Sequence, residues 1–411
     1  MPTTTAPGPI WIRDISTNDP PFWVNSVAVS NNGKRVLCGT FIHDYSDNSS
    51  RFGPNEAGTF CTSCYDAKGK QLWTDAYEGM DGVFSVAVSG NGKIAAQGGW
   101  LDAKHGLLRA YDAATGKILL DYSEMPQRVS TVALSNDGSI LAAASDHIYI
   151  FAKSGNKFPA APTCLPFGPN EFLTSVAVHP TGKWIAACSK KGVIRVAELS
   201  KGVVTKTYIW TAPEGKLFPD KSDSKTAPMP FLAVAISRKS DAFVVGGGDM
   251  VYRSTLRNMQ KGKDPTGFDT RDANAPFGPT RAGRYPENVR WVGISGNGKL
   301  ISAAVNRTVK KKFTGALYTL GVSGGKLKQS WKVLRDSNPN STSLDDKGKF
   351  VTVCDGFPVT DPGNFAVYDA KTGALRWDYE VSYMNWPMFI SANGNAIAAG
   401  GDDGKLYYFK P

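Results

Sequence analysis

A short cassette recurs eight times along this chain, and it limits the fold more than any other feature. It consists of alternating small and branched residues, a polar turn usually ending in Gly and Lys, then a second apolar run. The copies occupy residues 26–34, 85–93, 131–139, 175–183, 233–241, 291–299, 341–349 and 387–395. Their equivalent turn positions, Gly33, Gly92, Gly138, Gly182, Ser240, Gly298, Gly348 and Gly394, lie 59, 46, 44, 58, 58, 50 and 46 residues apart. A period in the forties, lengthened by insertions, specifies a repeat array in which each unit buries its apolar face against its neighbours.

The alternation has period two, so the repeats predict strands and no helix. The fullest unit reads as strands over 83–89, 93–98, 107–112 and 117–122, joined by Gly-rich or Asn-Gly turns. Four short antiparallel strands in some 45 residues make one blade of a β-propeller. The last copy ends after three strands, at Leu406 to Phe409, while Ile10 to Asp14 resembles the fourth strand seen at Gln71 to Asp75. The sequence therefore predicts an all-β, single eight-bladed β-propeller of four-stranded antiparallel blades over 1–411, with strand 10–15 completing the last blade, 386–411. Such pairing removes an exposed sheet edge.

No run of about twenty apolar residues exists to span a bilayer. Met1 to Pro9 lacks the apolar stretch of a signal peptide, although a mature exported form with its leader replaced by Met would read the same. Cys38, Cys188 and Cys354 fall in second strands, at or next to a position otherwise filled by Gly or Ala, and read as small core residues. Cys61 and Cys64 form an isolated CxxC, compatible with a core, a redox or a metal role. Without a clear disulfide framework the chain leans to a reducing, cytoplasmic compartment.

Two propeller families resemble the repeat. Ser85 to Lys93 followed by Ile94, Ala95 and Ala96 is similar to the first half of a WD40 repeat. The segment Ala110, Tyr111, Asp112, Ala113, Ala114, Thr115, Gly116 resembles the tryptophan-docking motif of quinoprotein-like (PQQ-like) propellers, as do Val367 to Trp377 and, one residue shorter, Tyr65 to Trp73. The resemblance implies a fold and no particular activity. Quinoprotein dehydrogenases often hold their cofactor with adjacent cysteines, which this chain lacks, so no cofactor is expected.

Insertions and charge mark the candidate site. The long segments 40–58, 100–106, 154–172, 211–230, 256–288, 306–314 and 355–363 are read as second-to-third connections or crossovers between blades, all leaving one face. Loops held on a rigid scaffold are where binding concentrates. The net charge is +11, and residues 251–335 carry 17 Lys and Arg against 4 Asp and Glu. Arg271, Arg281, Arg284, Tyr285, Arg290, Trp291, Arg307, Lys310, Lys311 and Lys312 form the predicted partner-binding set in this segment. Clustered cations attract an anionic partner: an acidic protein or anionic glycan, with nucleic acid less supported because no recognition motif accompanies the charge. The expected state is a monomer or a member of a larger complex.

Cassette alignment brings a second set, Trp23, Phe84, Arg290, Asn340 and Trp386, to the central opening, either as a plug or as a stacking site. His43, His105 and His147, with Asp44, Asp102 and Asp146 beside them, are candidate metal ligands on the same face. Gly321 to Gly325 matches GxSxG but sits in a tight strand turn, without the helix that presents a nucleophile. The first reading is a non-enzymatic binding or scaffold protein that docks its partner on the loop-rich basic face. The alternative is a quinoprotein-like or metal-dependent enzyme, whose axial site would gather Asp355, Asp361, His105 and Arg290.

Overall fold

The computed structural model describes residues 8–16, 23–41, 58–80, 82–102, 104–168, 171–213, 215–216, 226–227, 230–270, 287–309, 312–356, 362–382 and 385–411. Among them the strands divide into eight antiparallel four-stranded units, with a separate two-stranded ribbon at Gly215–Lys216 and Thr226–Ala227. The first unit runs Trp23–Val29, Arg35–Phe41, Gly58–Asp66 and Gln71–Met80. Its neighbour, Gly82–Val88, Ile94–Trp100, Gly106–Asp112 and Ile118–Met125, joins it through one bridge between Phe41 and Gly82. The innermost strands touch in cyclic order, and that of the last unit returns to Trp23–Val29. The array is thus a closed propeller.

The cassette repeats because each turn solves the same hydrogen-bonding problem. In the second blade Ser89 Oγ accepts from Ile94 N at 2.9 Å and donates to Asn91 Oδ1 at 2.8 Å. Ser30, Ser135, Ser295 and Ser391 likewise donate to the Asn or Asp two residues on. In the seventh blade Asp345 replaces the serine, and its Oδ1 accepts from Lys349 N and Phe350 N at 2.7 and 2.8 Å. Gly92 closes its turn at φ +71, a conformation that strains any side chain.

The small position in the second strand has an equally local cause. A β-carbon on Gly39, Gly98, Gly246 or Gly400 would meet a valine in or just before the inner strand of the following blade, Val83, Val129, Val289 or Val24, at 2.4, 2.3, 2.5 and 2.5 Å. The last of these crosses the closure from the eighth blade to the first. Cys188 and Cys354 take this position in their blades and, like Cys38, are fully buried.

Tryptophans bolt three of the seams. Trp73 Nε1 donates to Ala113 O at 3.1 Å, Trp331 Nε1 to Ala370 O at 3.0 Å, and Trp11 Nε1 to Ala67 O at 3.2 Å. Each indole lies against the glycine of the next blade's turn, where a β-carbon on Gly116, Gly373 or Gly69 would stand 2.7, 2.8 or 2.9 Å from the ring. The N-terminal strand Trp11–Asp14 pairs with Lys405–Phe409 in register Trp11↔Tyr408 to Asp14↔Lys405, as expected. It is therefore fixed to the eighth blade by its backbone and to the first by its indole.

Two expectations need correction. A helix does occur, Leu256–Gln260, capped by Thr255 Oγ1 accepting from Asn258 N at 3.0 Å. It lies between the third and fourth strands of the fifth blade, and residues 153–162 separate those of the third. The segments read as continuous loops over 154–172 and 256–288 contain the outer strands Thr163–Leu165 and Thr266–Asp269. Parts of both insertions consequently emerge opposite the other loops. Edge strands of three or four residues are too short to show a period in the sequence.

Candidate functional site

Among the described residues a cavity of about 410 Å³ lies on the axis of the ring, on the side where chain crossovers reach the innermost strands, bounded by the first residues of those strands. Trp23, Phe84, Arg290, Asn340 and Trp386 all line it, together with Trp291. The structure thus brings together every residue of the predicted central-opening set. Asn340 serves the scaffold: its Nδ2 donates to Asn385 O at 2.8 Å and to Gly356 O at 3.3 Å.

Cations and rings alternate around this mouth. The Arg128 guanidinium lies 3.7 Å from the Phe84 ring centroid and 5.5 Å from that of Phe172. Lys190 Nζ stands 4.6 Å from the Phe172 centroid, and the Arg290 guanidinium 5.6 Å from that of Trp386. Arg128 is only 4% exposed, and burial pulls its guanidinium down to about 9, still charged at neutral pH. The described residues lining the cavity include no Asp, Glu, His or Cys. Such a mouth stacks on apolar or planar groups and attracts negative charge.

At the opposite end of the ring, side chains reach over intervening blades. Asn31 Nδ2 donates to Asn136 Oδ1 at 2.7 Å, passing over the second blade, where a β-carbon on Gly90 would stand 2.0 Å from that oxygen. Arg238 Nη1 reaches Asp346 Oδ1 at 3.0 Å, passing the sixth blade at Gly296. Backbone N–H groups of these turns also donate from blade to blade: Asn31 to Gly90, Asn91 to Asn136, Asn136 to Pro180, Lys239 to Gly296, Gly296 to Asp346, Asp346 to Ala392 and Asn393 to Asn31. The chain of bonds skips the fourth-to-fifth seam, where Pro180 has no N–H to give. Trp291 and Phe389, 5.6 Å apart between ring centroids, line both the mouth and the smaller cavity of about 300 Å³ at this end.

Other predicted residues are dispersed. Arg271, Arg281, Arg284, Tyr285, Lys310, Lys311, His43, Asp44 and Asp361 lie outside the described residues. Arg307 and Lys312 fall on the paired strands Leu300–Val309 and Lys312–Ser323. His105 and Asp102 form an exposed pair at 2.9 Å, and His147 contacts its neighbour Asp146 at 2.7 Å. Among the described residues no three His, Cys, Asp or Glu side chains gather as metal ligands.

Of the residues considered for an axial enzyme site, the described ones do not converge. Asp355 is 1% exposed and held by Arg335, with Nε and Nη2 each 2.6 Å from Oδ2, while Asn364 N donates to Oδ1 at 2.8 Å. Neither Asp355 nor His105 lines the mouth occupied by Arg290.

The CxxC also resolves simply. Cys61 and Cys64 are free thiols three residues apart on the strand Gly58–Asp66, which sends them to opposite faces. Thr40 Oγ1 lies 3.8 Å from Cys61 Sγ, whereas Cys64 Sγ reaches Ala113 O at 3.4 Å.

Sequence reasoning missed Arg128, Lys190 and Phe172. Arg128 sits just before the third cassette and Lys190 in the turn after the fourth blade's second strand, outside any charge cluster. Their shared signal was a cassette-relative position, seen only once the blades are superposed around the axis.

The WD40 (WD domain, G-beta repeat) family model matches residues 163–197. The solved structure of Chaetomium thermophilum Sqt1 bound to the N-terminus of the ribosomal protein L10 is similar at TM-score 0.68 and 14% identity, covering 98% of this chain and 100% of that one. Saccharomyces cerevisiae Sqt1 is similar at TM-score 0.68 and 11% identity, with 99% of each chain covered. The Cps50 (Swd1) β-propeller domain of Myceliophteria thermophila gives 0.56 and 12%, covering 80% of this chain and 97% of that one. No curated protein sequence matches the chain. The quinoprotein-like half of the sequence resemblance finds no support among these matches, although docked tryptophans do join blades here. The fold is thus that of a β-propeller similar to these structures, with one stretch that matches the WD40 repeat.

Proposed function

We propose that this chain is a non-enzymatic protein-binding scaffold, one propeller over 1–411, that docks an acidic segment of a partner protein at the cation-lined mouth. The observation that carries this reading is the lining itself: Arg128, Lys190 and Arg290 interleaved with aromatic rings and no carboxylate among the described lining residues. An acidic segment bearing an aromatic or aliphatic anchor satisfies both parts of that surface. The basic stretch 251–335, with Arg271, Arg281, Arg284, Tyr285, Arg307, Lys310, Lys311 and Lys312, extends the attraction beyond the mouth. Sqt1, similar in fold, is itself seen bound to a protein N-terminus, which supports a protein as the partner class.

The test is fluorescence anisotropy with a labelled peptide of glutamates around one phenylalanine. Binding should weaken at least tenfold between low and high salt. Arg128→Gln combined with Arg290→Gln should weaken it at least tenfold again, and Lys310, Lys311 and Lys312 changed together to Glu should weaken it further. Affinity unchanged by the paired arginine substitutions would remove the mouth from the account. Unchanged affinity in the lysine variant would remove that run. Tighter binding of a sulfated glycan or duplex DNA than of the peptide would assign a different partner class.

A further inference from the structure

Connections from the first to the second strand of a blade, and from the third to the fourth, emerge at the end of the ring opposite the mouth, and all of them lie within the described residues. They carry 18 Lys and Arg against 5 Asp, whereas the rest of the chain carries 29 Lys and Arg against 31 Asp and Glu. The net positive charge of the chain therefore belongs to this one face. It is spread around the ring, from Lys34 and Lys68 in the first blade, through Lys117, Lys157, Lys201 and Lys239, to Lys299 and Lys371 in the sixth and seventh. All of these connection cations except Lys153 and Arg238 are exposed.

The carboxylates here are committed to the fold. Asp137 Oδ1 accepts from Ser139 N at 3.0 Å, and Asp345 Oδ1 from Lys349 N at 2.7 Å. Asp241 Oδ2 accepts from Arg257 N at 3.3 Å, and Asp264 Oδ1 from Trp210 Nε1 at 3.1 Å. Asp346 takes Arg238 and Lys239, at 3.0 and 3.4 Å, and among the described residues these are the only connection cations in an ion pair. Asp66, Asp112 and Asp369, which end the adjoining third strands, close the turns that follow them through Oδ1. A cavity of about 300 Å³ between the first three blades is lined by Lys34, Arg35, Lys93 and Lys153, with Asn32 and Asn91. The one carboxylate among its described lining residues, Asp112, already accepts from Ala114 N and Thr115 N, each at 3.0 Å, while Arg35 Nε is buried without a hydrogen-bond partner.

We infer that this face docks on a membrane surface rich in anionic phospholipid, with one headgroup phosphate seated among Lys34, Arg35, Lys93 and Lys153. Each cation held near an anionic leaflet adds to the attraction, and a ring of them meets a plane all at once. A rod-like polyanion such as duplex nucleic acid touches only a chord of that ring. The connections also offer no exposed Phe, Tyr or Trp on which bases could stack, since their one such residue, Phe158, is 6% exposed. Aliphatic side chains stand at the rim instead, where outer strands begin after lysine-bearing connections: Ile118 is 43% exposed, Val203 58% and Leu375 46%. Such side chains enter the boundary between headgroups and acyl chains. Docked this way, the ring turns its mouth away from the bilayer, so attachment and partner binding use separate surfaces.

The full chain is sedimented with vesicles of equal parts phosphatidylserine and phosphatidylcholine, with pure phosphatidylcholine vesicles as the control. Binding to the mixed vesicles alone is expected, weakening at least tenfold from low to high salt. Lys93→Gln, Lys117→Gln and Lys201→Gln together should weaken it at least tenfold, while the circular dichroism spectrum and the affinity for the glutamate–phenylalanine peptide stay those of the wild type. Ile118→Ser, Val203→Ser and Leu375→Ser together should weaken vesicle binding as well. No sedimentation with the mixed vesicles at low salt, or affinity unchanged by the three lysine substitutions, would overturn the inference. Displacement from the vesicles by duplex DNA at equal phosphate concentration, with the serine variant binding as the wild type does, would assign the face to nucleic acid instead.

Discussion

Replacing Trp11 by Ala tests how the ring is closed. The indole is 7% exposed and stacks on Tyr408 of the eighth blade, with ring centroids 4.9 Å apart and planes 1° from parallel. Its other neighbours belong to the first blade: Tyr65 at 5.9 Å, the Ala67 carbonyl at 3.2 Å, and the backbone of Gly69. Truncating a buried tryptophan costs about 3–5 kcal/mol, a range that already contains the lost hydrogen bond. Unfolding entropy of about 2.1 cal/mol/K per residue over 411 residues turns about 4 kcal/mol into a drop of about 5 °C in melting temperature. Ile12 is the control, since it lies in the same strand, 37% exposed, and Ile12→Ala should change stability by about 0.5 kcal/mol or less. Hydrogen exchange adds the location, with amides of Trp11–Asp14 and Lys405–Phe409 losing protection first in Trp11→Ala. Equal melting temperatures for the two variants, or faster exchange in blades remote from the seam, would refute closure by indole docking.

Two further outcomes follow from buried groups. Arg335→Leu strands Asp355 without its ion pair and should cost about 3–5 kcal/mol, with Asp355→Leu added on top restoring part of the loss. Burial already raises the Asp355 carboxyl, and losing Arg335 raises it further. The folded variant then holds a proton the unfolded chain releases, so its stability should be retained below the ordinary carboxylate pKa and fall as pH rises through the raised one. Denaturant titration at pH 4 and pH 8 measures this, and a loss independent of pH would contradict it. Among the thiols Cys164 is exposed, while burial pushes Cys64, Cys188 and Cys354 up to about 12. A thiol reagent on native protein should label one cysteine rapidly and the rest only on unfolding, and rapid loss of Cys61 and Cys64 together would contradict their separation on opposite strand faces.

The parts of this fold that can be read from sequence are those solved by local chemistry. Ser89, Asn91, Gly92 and the small residue at Gly98 each answer a need within a few ångströms, and every blade has the same need. The N-terminal strand was legible for a related reason, because a three-stranded last unit leaves an edge and Trp11 matches Trp73. What escaped depends on the ring as a whole. Asn31 and Asn136 are 105 residues apart and meet only because the first and third blades flank the second, above Gly90. Arg128 and Lys190 likewise become neighbours of one mouth through superposition of unlike segments. The helix Leu256–Gln260 was missed because five residues are too few to show helical period, though its Thr255 cap was present in the sequence.

The central claim is that a partner occupies the mouth, and amide hydrogen exchange with and without the glutamate–phenylalanine peptide tests it most directly. Protection should appear where the innermost strands begin, around Phe84, Arg128, Thr174, Arg290 and Trp386, leaving the turns at Asn31, Asn136 and Gly296 unchanged. Protection confined to those turns, or none at saturating peptide, would contradict the account.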